Sequence, residues 1–169
     1  YPELDCTVEL VCTAADAGAD MVEIGIPFSD PQADGPVIQA SSQLALDKGI
    51  TLKMIFEQVQ EIRTRTDVPI ALMGYYNSIL KMGHDSFLDH CVQAGVDGVI
   101  LPDLPLHEAK PFCESAKSQG VSPILLVAPN TTSERIRNIS ELAGGLIYAV
   151  SILGVTGNDL SSKDALKSY

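Results

Sequence analysis

Val22-Glu23-Ile24-Gly25-Ile26-Pro27-Phe28-Ser29-Asp30-Pro31-Gln32-Ala33-Asp34-Gly35-Pro36 is the stretch on which the architecture turns. Its beginning belongs to a short apolar run at 21–26 that reads as a strand, interrupted by one carboxylate, Glu23. Burying an ionised Glu costs several kcal/mol unless it is paired or its pKa rises until it is largely neutral. Such a group therefore points either to a buried ion pair or to acid–base chemistry. The stretch then places three prolines, one glycine and two aspartates within residues 27–36. Proline fixes φ and lowers loop entropy, so this loop at the C-terminal end of a strand can hold side chains in place. Asp30 reads as a turn former or N-cap for a helix opening near Pro36-Val37. Asp34 reads instead as a second carboxylate facing the same pocket as Glu23.

Four more apolar runs lie downstream, at 70–73, 98–101, 123–127 and 146–150, each rich in Val, Ile and Leu and bounded by Gly, Pro, Asp or Asn. They are near-continuously apolar, as parallel strands covered on both faces require. Between them lie helical stripes. Leu52, Ile55, Phe56, Val59 and Ile62 share one face. Phe87, Leu88, Cys91 and Val92 form another, with Asp85 as the expected N-cap. A helix over about 106–119 closes at Gly120, and one over about 5–17 closes at Gly18. Thr131-Thr132-Ser133-Glu134 has the Thr-x-x-Glu form of a capping box ahead of Ile136, Ile139 and Leu142. The predicted order is α-β-α-α-β-α-β-α-β-α-β. The strand starts near 70, 97, 122 and 146 are 27, 25 and 24 residues apart, the length of a minimal βα unit. Ala17-Gly18-Ala19-Asp20 and Ala94-Gly95-Val96-Asp97 repeat the same helix stop and short strand entry.

Alternating α and β elements with parallel-type strands leave a doubly wound open sheet or a (β/α)8 barrel. No GxGxxG and no GxxxxGK[ST] follows any strand, so nucleotide-binding forms of the open sheet lose their usual marker. The regular spacing favours the barrel, although five strands in 169 residues fall short of the eight strands and ~250 residues of a full one. Composition bounds the function classes. Eleven Lys+Arg against 22 Asp+Glu give a net charge of −11, which excludes a basic nucleic-acid surface and suits an anionic membrane poorly. No run approaches the ~18 apolar residues of a membrane span, and no leader is readable before Tyr1-Pro2-Glu3. Cys6, Cys12, Cys91 and Cys113 lack metal spacing and read as buried reduced thiols, hence a reducing compartment. His84, His90 and His107 sit in polar, helix-start or helix-surface contexts, and no metal site is expected.

Residues 23–39, Glu-Ile-Gly-Ile-Pro-Phe-Ser-Asp-Pro-Gln-Ala-Asp-Gly-Pro-Val-Ile-Gln, closely resemble the signature of the tryptophan synthase α chain family. Further matches follow in the family's order: Gly74-Tyr75-Tyr76-Asn77, Gly95-Val96-Asp97-Gly98, Pro102-Asp103-Leu104-Pro105 and Gly154-Val155-Thr156-Gly157. The resemblance covers essentially the whole chain. It implies a (β/α)8 barrel and cleavage of indole-3-glycerol phosphate to indole and glyceraldehyde 3-phosphate, a retro-aldol lyase step in tryptophan biosynthesis that needs no cofactor. Glu23 then corresponds to the catalytic Glu and Asp34 to the catalytic Asp. Tyr75, Tyr148, Thr156 and Gly157 correspond to substrate-binding positions, the last two in a mobile lid. Asp103 and Pro31 correspond to the face that couples to a β chain.

The partner implied is a pyridoxal-phosphate tryptophan synthase β chain in an α2β2 heterotetramer, in the cytoplasm or, in a plant, the plastid. Two alternatives share the same residues: a stand-alone indole-3-glycerol-phosphate lyase without a β partner, and a non-catalytic α-like regulatory subunit. Ser151-Ile152-Leu153-Gly154 departs from the family pattern by being unusually apolar ahead of the lid. Set against a full barrel, the chain corresponds to about strands 2 to 6, so the first strand and the last two βα units, with the phosphate-holding loops, are expected to lie outside it. These 169 residues alone are expected to show negligible turnover and poor solubility, because two sheet edges are left unpaired.

Overall fold

A computed structural model describes residues 3–150. The elements run α1 (Cys6–Asp16), β1 (Val22–Gly25), α2 (Pro36–Asp47), α3 (Leu52–Arg63), β2 (Ile70–Met73), α4 (Tyr76–Met82), α5 (His84–Ala94), β3 (Gly98–Ile100), α6 (Leu106–Ser118), β4 (Ser122–Val127), α7 (Ser133–Leu142) and β5 (Ile147–Ala149). All strand pairs are parallel, and the sheet order is β1-β2-β3-β4-β5. A doubly wound sheet would reverse its strand order at a switch point. Here each new strand joins the same growing edge, which is how a (β/α)8 barrel is laid down.

Strand alternation separates two cores. Ile24, Ile70, Leu72, Val99, Leu125 and Val127 point outward and pack with the helices around Val59, Ile62, Phe87, Leu88, Phe112 and Ala116. Ala71, Ile100 and Ile124 point to the other face and form a small cluster with Met73 and Leu126. Glu23 lies opposite Ala71 in register, so it shares that inner face. Gly98 also faces inward, where an added Cβ would sit 2.9 Å from Ile124 Cδ1.

Four expectations need correction. A helix absent from the sequence reading, α4, occupies Tyr76–Met82 directly before α5. Gly83 separates the two at φ +93° and stands at the N-cap of α5, so Asp85 falls in the first helical turn rather than at the cap. The cap of α7 is Thr132, whose side chain accepts the Arg135 N–H at 3.3 Å. Thr131 instead accepts the Ala128 N–H at 2.8 Å, so the Thr131–Glu134 box does not form. Gly35 holds the N-cap position of α2, with Pro36 pre-set for its first turn, so of the two readings of Asp30 the N-cap one falls, while its exposed place at a bend agrees with the turn one. The helix stops fare better: Gly95 ends α5 in the left-handed region at φ +84°, and Gly18 follows α1 at φ +93°. Cys12, Cys91 and Cys113 are buried and Cys6 half-buried, all as free thiols. Burial pushes the Cys91 thiol up to about 12.

Candidate active site

β1 delivers Glu23 and the loop behind it delivers Asp34. Because Val22 and Ile24 turn toward the helices, Glu23 turns to the inner face, where small Ala71 beside it leaves room. Its carboxyl is exposed there rather than enclosed in the strand core as the apolar run had implied, since that face borders open cavity instead of packed side chains. Partial loss of water still raises its pKa above the ordinary Glu value, and the nearby negative charge of Asp34 raises it further. A proton is therefore held by Glu23 to higher pH than in solution.

Asp34 is fixed by a set of contacts across the sheet. The loop leaves β1 with the Ile26 N–H donated to Met73 O at 2.7 Å, and it tightens where the Asp34 N–H reaches Pro31 O at 3.2 Å. Tyr75, at the C-terminal end of β2, is 5% exposed and stacks on Phe28 with ring centroids 5.3 Å apart. Its hydroxyl accepts the Ala33 N–H at 2.8 Å and donates to Asp34 Oδ2 at 3.0 Å. Burial, reinforced by the bond to Asp34, pushes the Tyr75 phenol up to about 12, so it stays a donor throughout the physiological range. Gln39 Nε2 donates to the Asp34 carbonyl at 2.8 Å, tying the first turn of α2 to the same residue. Asp34 is 9% exposed, a buried acid held by a neutral donor rather than by a cation.

Glu23, Asp34, Tyr75, Tyr148, Met73 and Ile26 line one cavity of about 530 Å³, which also reaches past β1 to the inner side of α2. Tyr148 arrives from β5, opposite Leu126, and is 41% exposed. Four of the expected site residues thus meet in one place. Asp103 does not: it is exposed on the loop after β3, and both its carboxylate oxygens accept the Tyr76 N–H. Pro31 is buried within the 26–35 loop. Thr156 and Gly157 lie outside the described residues, as do Ile152 and Leu153. Phe28 and Gln39 were not singled out from the sequence. A loop aromatic is a weak signal alone, and the Gln39 bond depends on how α2 starts.

An arrangement with one carboxyl of raised pKa and one anchored carboxylate, both lining the same largely apolar cavity, can protonate a substrate at one position while stabilising positive charge at another. Among the described residues no three His, Cys, Asp or Glu side chains group as metal ligands. No helix among them is long and apolar enough to cross a membrane.

Comparison with known proteins gives a consistent result. The profile of the family described as tryptophan synthase alpha chain matches residues 1–169. The tryptophan synthase alpha chain of Petrotoga mobilis is 50% identical over 168 residues, covering 99% of this chain and 65% of its own length. That of Caldanaerobacter subterraneus is 50% identical over 156 residues, covering 92% of this chain and 59% of its own. Among solved structures, the tryptophan synthase complex from Pyrococcus furiosus has a chain 42% identical with a TM-score of 0.84, covering 89% of this chain and 62% of that one. The chain therefore spans less than two thirds of the length of these relatives.

Proposed function

Because the chain belongs to the tryptophan synthase alpha chain family, we propose that its protein cleaves indole-3-glycerol phosphate to indole and glyceraldehyde 3-phosphate. The observation that carries this reading is the pair of unlike carboxyl groups on one cavity, Glu23 with a raised pKa and Asp34 anchored by Tyr75. Retro-aldol cleavage needs a proton delivered to indole C3, which makes a cationic indolenine. It also needs a proton removed from the hydroxyl on the adjacent side-chain carbon. As the C–C bond breaks, its electrons restore the aromatic ring and the hydroxyl carbon becomes an aldehyde. Glu23 suits both transfers, giving a proton as acid and taking one as base. Tyr75 engages Asp34 Oδ2, which leaves Oδ1 to accept the indole N–H and to face the cationic ring.

In this reading Tyr75 and Tyr148, with Thr156 and Gly157, border the substrate. Asp103 and Pro31 lie toward a tryptophan synthase beta chain in an α2β2 assembly. This chain supplies the retro-aldol step from its own side chains, and pyridoxal phosphate belongs to the beta partner. The setting is the reducing cytoplasm, in keeping with free thiols at Cys6, Cys12, Cys91 and Cys113.

The test is steady-state and binding measurement on the complete polypeptide with indole-3-glycerol phosphate, with and without beta chain. Glu23→Gln is expected to lower kcat by at least about 10³-fold with substrate affinity largely kept. Asp34→Asn is expected to lower it by about 10²–10³-fold, because an amide stabilises the cation poorly. Near-wild-type turnover by Glu23→Gln would refute the acid–base assignment.

A further inference from the structure

Asp34 stands one residue before the N-cap of α2, and a helix start attracts a carboxylate. The first-turn N–H groups have no acceptor within the helix, and the aligned peptide dipoles favour negative charge beside them. An Asp at such a place ordinarily turns its side chain onto those amides. In α2 no side chain does so, because the N-cap residue is Gly35. The carboxylate of Asp34 turns instead to the Tyr75 hydroxyl, 3.0 Å away on the neighbouring βα connection. Two conformations of one residue therefore compete, and only one of them serves the cavity.

The backbone of Asp34 is held on both sides. Its N–H is donated to Pro31 O at 3.2 Å, and its carbonyl accepts Gln39 Nε2 at 2.8 Å. Only the amide nitrogen of Gln39 can meet a carbonyl oxygen, so chemistry sets the direction of that bond. The backbone N–H of Gln39 goes to Gly35 O at 3.0 Å, the opening bond of the helix. Gln39 thus grips two successive carbonyls, those of residues 34 and 35. With the peptide units before and after Asp34 both fixed, its Cα–Cβ bond keeps one direction. Helix α2 gives Ile38, Ser41 and Ser42 to the cavity wall but not Gln39. Gln39 therefore acts on Asp34 and not on what the cavity holds.

We infer that Gln39 is a positioning residue, whose side-chain amide keeps the Asp34 carboxylate on the cavity side and off the N-terminus of α2. The kinetic part rests on the cleavage reading given above; the positional part stands on the contacts alone. Gln39→Met keeps the length and helix-forming tendency of the side chain and removes the donor. Measurements on the complete polypeptide separate the two parts. In amide hydrogen exchange, Gln39→Met is expected to slow exchange at Val37 or Ile38, the first-turn amides, by about fivefold, the equivalent of one typical hydrogen bond gained from the swung carboxylate. Leu125 in β4 is the control and keeps its rate. The midpoint of thermal unfolding is expected to hold or rise, since the new cap offsets the lost bond. In turnover of indole-3-glycerol phosphate, the same variant is expected to lose between about tenfold and a hundredfold in kcat with KM little changed.

Unchanged or faster exchange at both Val37 and Ile38 overturns the proposal. So does a loss of kcat that comes with a lowered unfolding midpoint, which would make Gln39 a contributor to general stability only. Full kcat in Gln39→Met overturns it as well. A parent protein that does not cleave indole-3-glycerol phosphate at all would refute the function and leave the exchange experiment to judge the positioning.

Discussion

On the inner face of β1, the pKa of Glu23 is raised for two reasons, partial desolvation and the charge of Asp34, and both have consequences for stability. A carboxyl whose folded pKa is raised stabilises the native state fully below its unfolded pKa, and that contribution is lost as pH rises through the folded value. At neutral pH the native protein therefore carries a penalty that a neutral isostere lacks. Glu23→Gln is expected to raise the midpoint of thermal unfolding at pH 7, with the difference vanishing near pH 4, so the least active variant is also the more stable one. Scans of both proteins at the two pH values check this. Glu23 was legible in the sequence because a carboxylate breaks an apolar strand. Its exposure was not, because a strand pattern does not say whether the inner face meets packed side chains or a cavity. The anchoring of Asp34 was out of reach for a similar reason: Tyr75 lies 41 residues away, and no local periodicity records a contact at that separation.

Among the elements, the long periodic ones were read and the short one was not. Strand β2 and helix α3 have the bounds that their apolar runs predict, and Ile55, Phe56, Val59 and Ile62 are the buried residues of α3. Helix α4 buries Ile79 alone, so its seven residues carry no stripe to detect, and it starts on an aromatic pair better suited to a strand. It exists because Asp103 satisfies its first N–H and Gly83 lets the chain turn straight into α5. Helix α7 shows how a one-residue slip in a cap goes unseen, since both Thr131 and Thr132 are chemically competent and the loop geometry chooses between them. Thr132→Ala is expected to destabilise the protein by about 1 kcal/mol, the value of an N-cap. Glu134→Ala should cost only a few tenths, the value of a first-turn charge without a reciprocal cap bond. Urea unfolding of the two variants distinguishes the real cap from the apparent one.

For the molecule as a whole, the regular spacing of apolar runs sufficed to anticipate the sheet, because a strand and its covering helix have a minimum length. The clamp at the opposite end from the site was not anticipated. Arg63, the last residue of α3, donates to Gly95 O at 2.8 Å and to Val68 O at 2.6 Å, and pairs with Asp97. Asp97 also accepts the Ile70 N–H at 2.7 Å, so the entries to β2 and β3 share one knot. Arg63→Ala is expected to cost about 2–3 kcal/mol by chemical denaturation while the proposed cleavage of indole-3-glycerol phosphate by the folded protein keeps its kcat, since this end of such a sheet serves stability. Arg63→Lys should recover little, because an ammonium cannot copy the planar fork. The strand order adds a temporal meaning. With β1 to β5 paired in the sequence in which they are written, each of the described strands after β1 finds its neighbour already made as it emerges during synthesis. Among these five strands each partner is the next in sequence, so loop-closure entropy is met in small instalments and this part of the sheet can assemble vectorially.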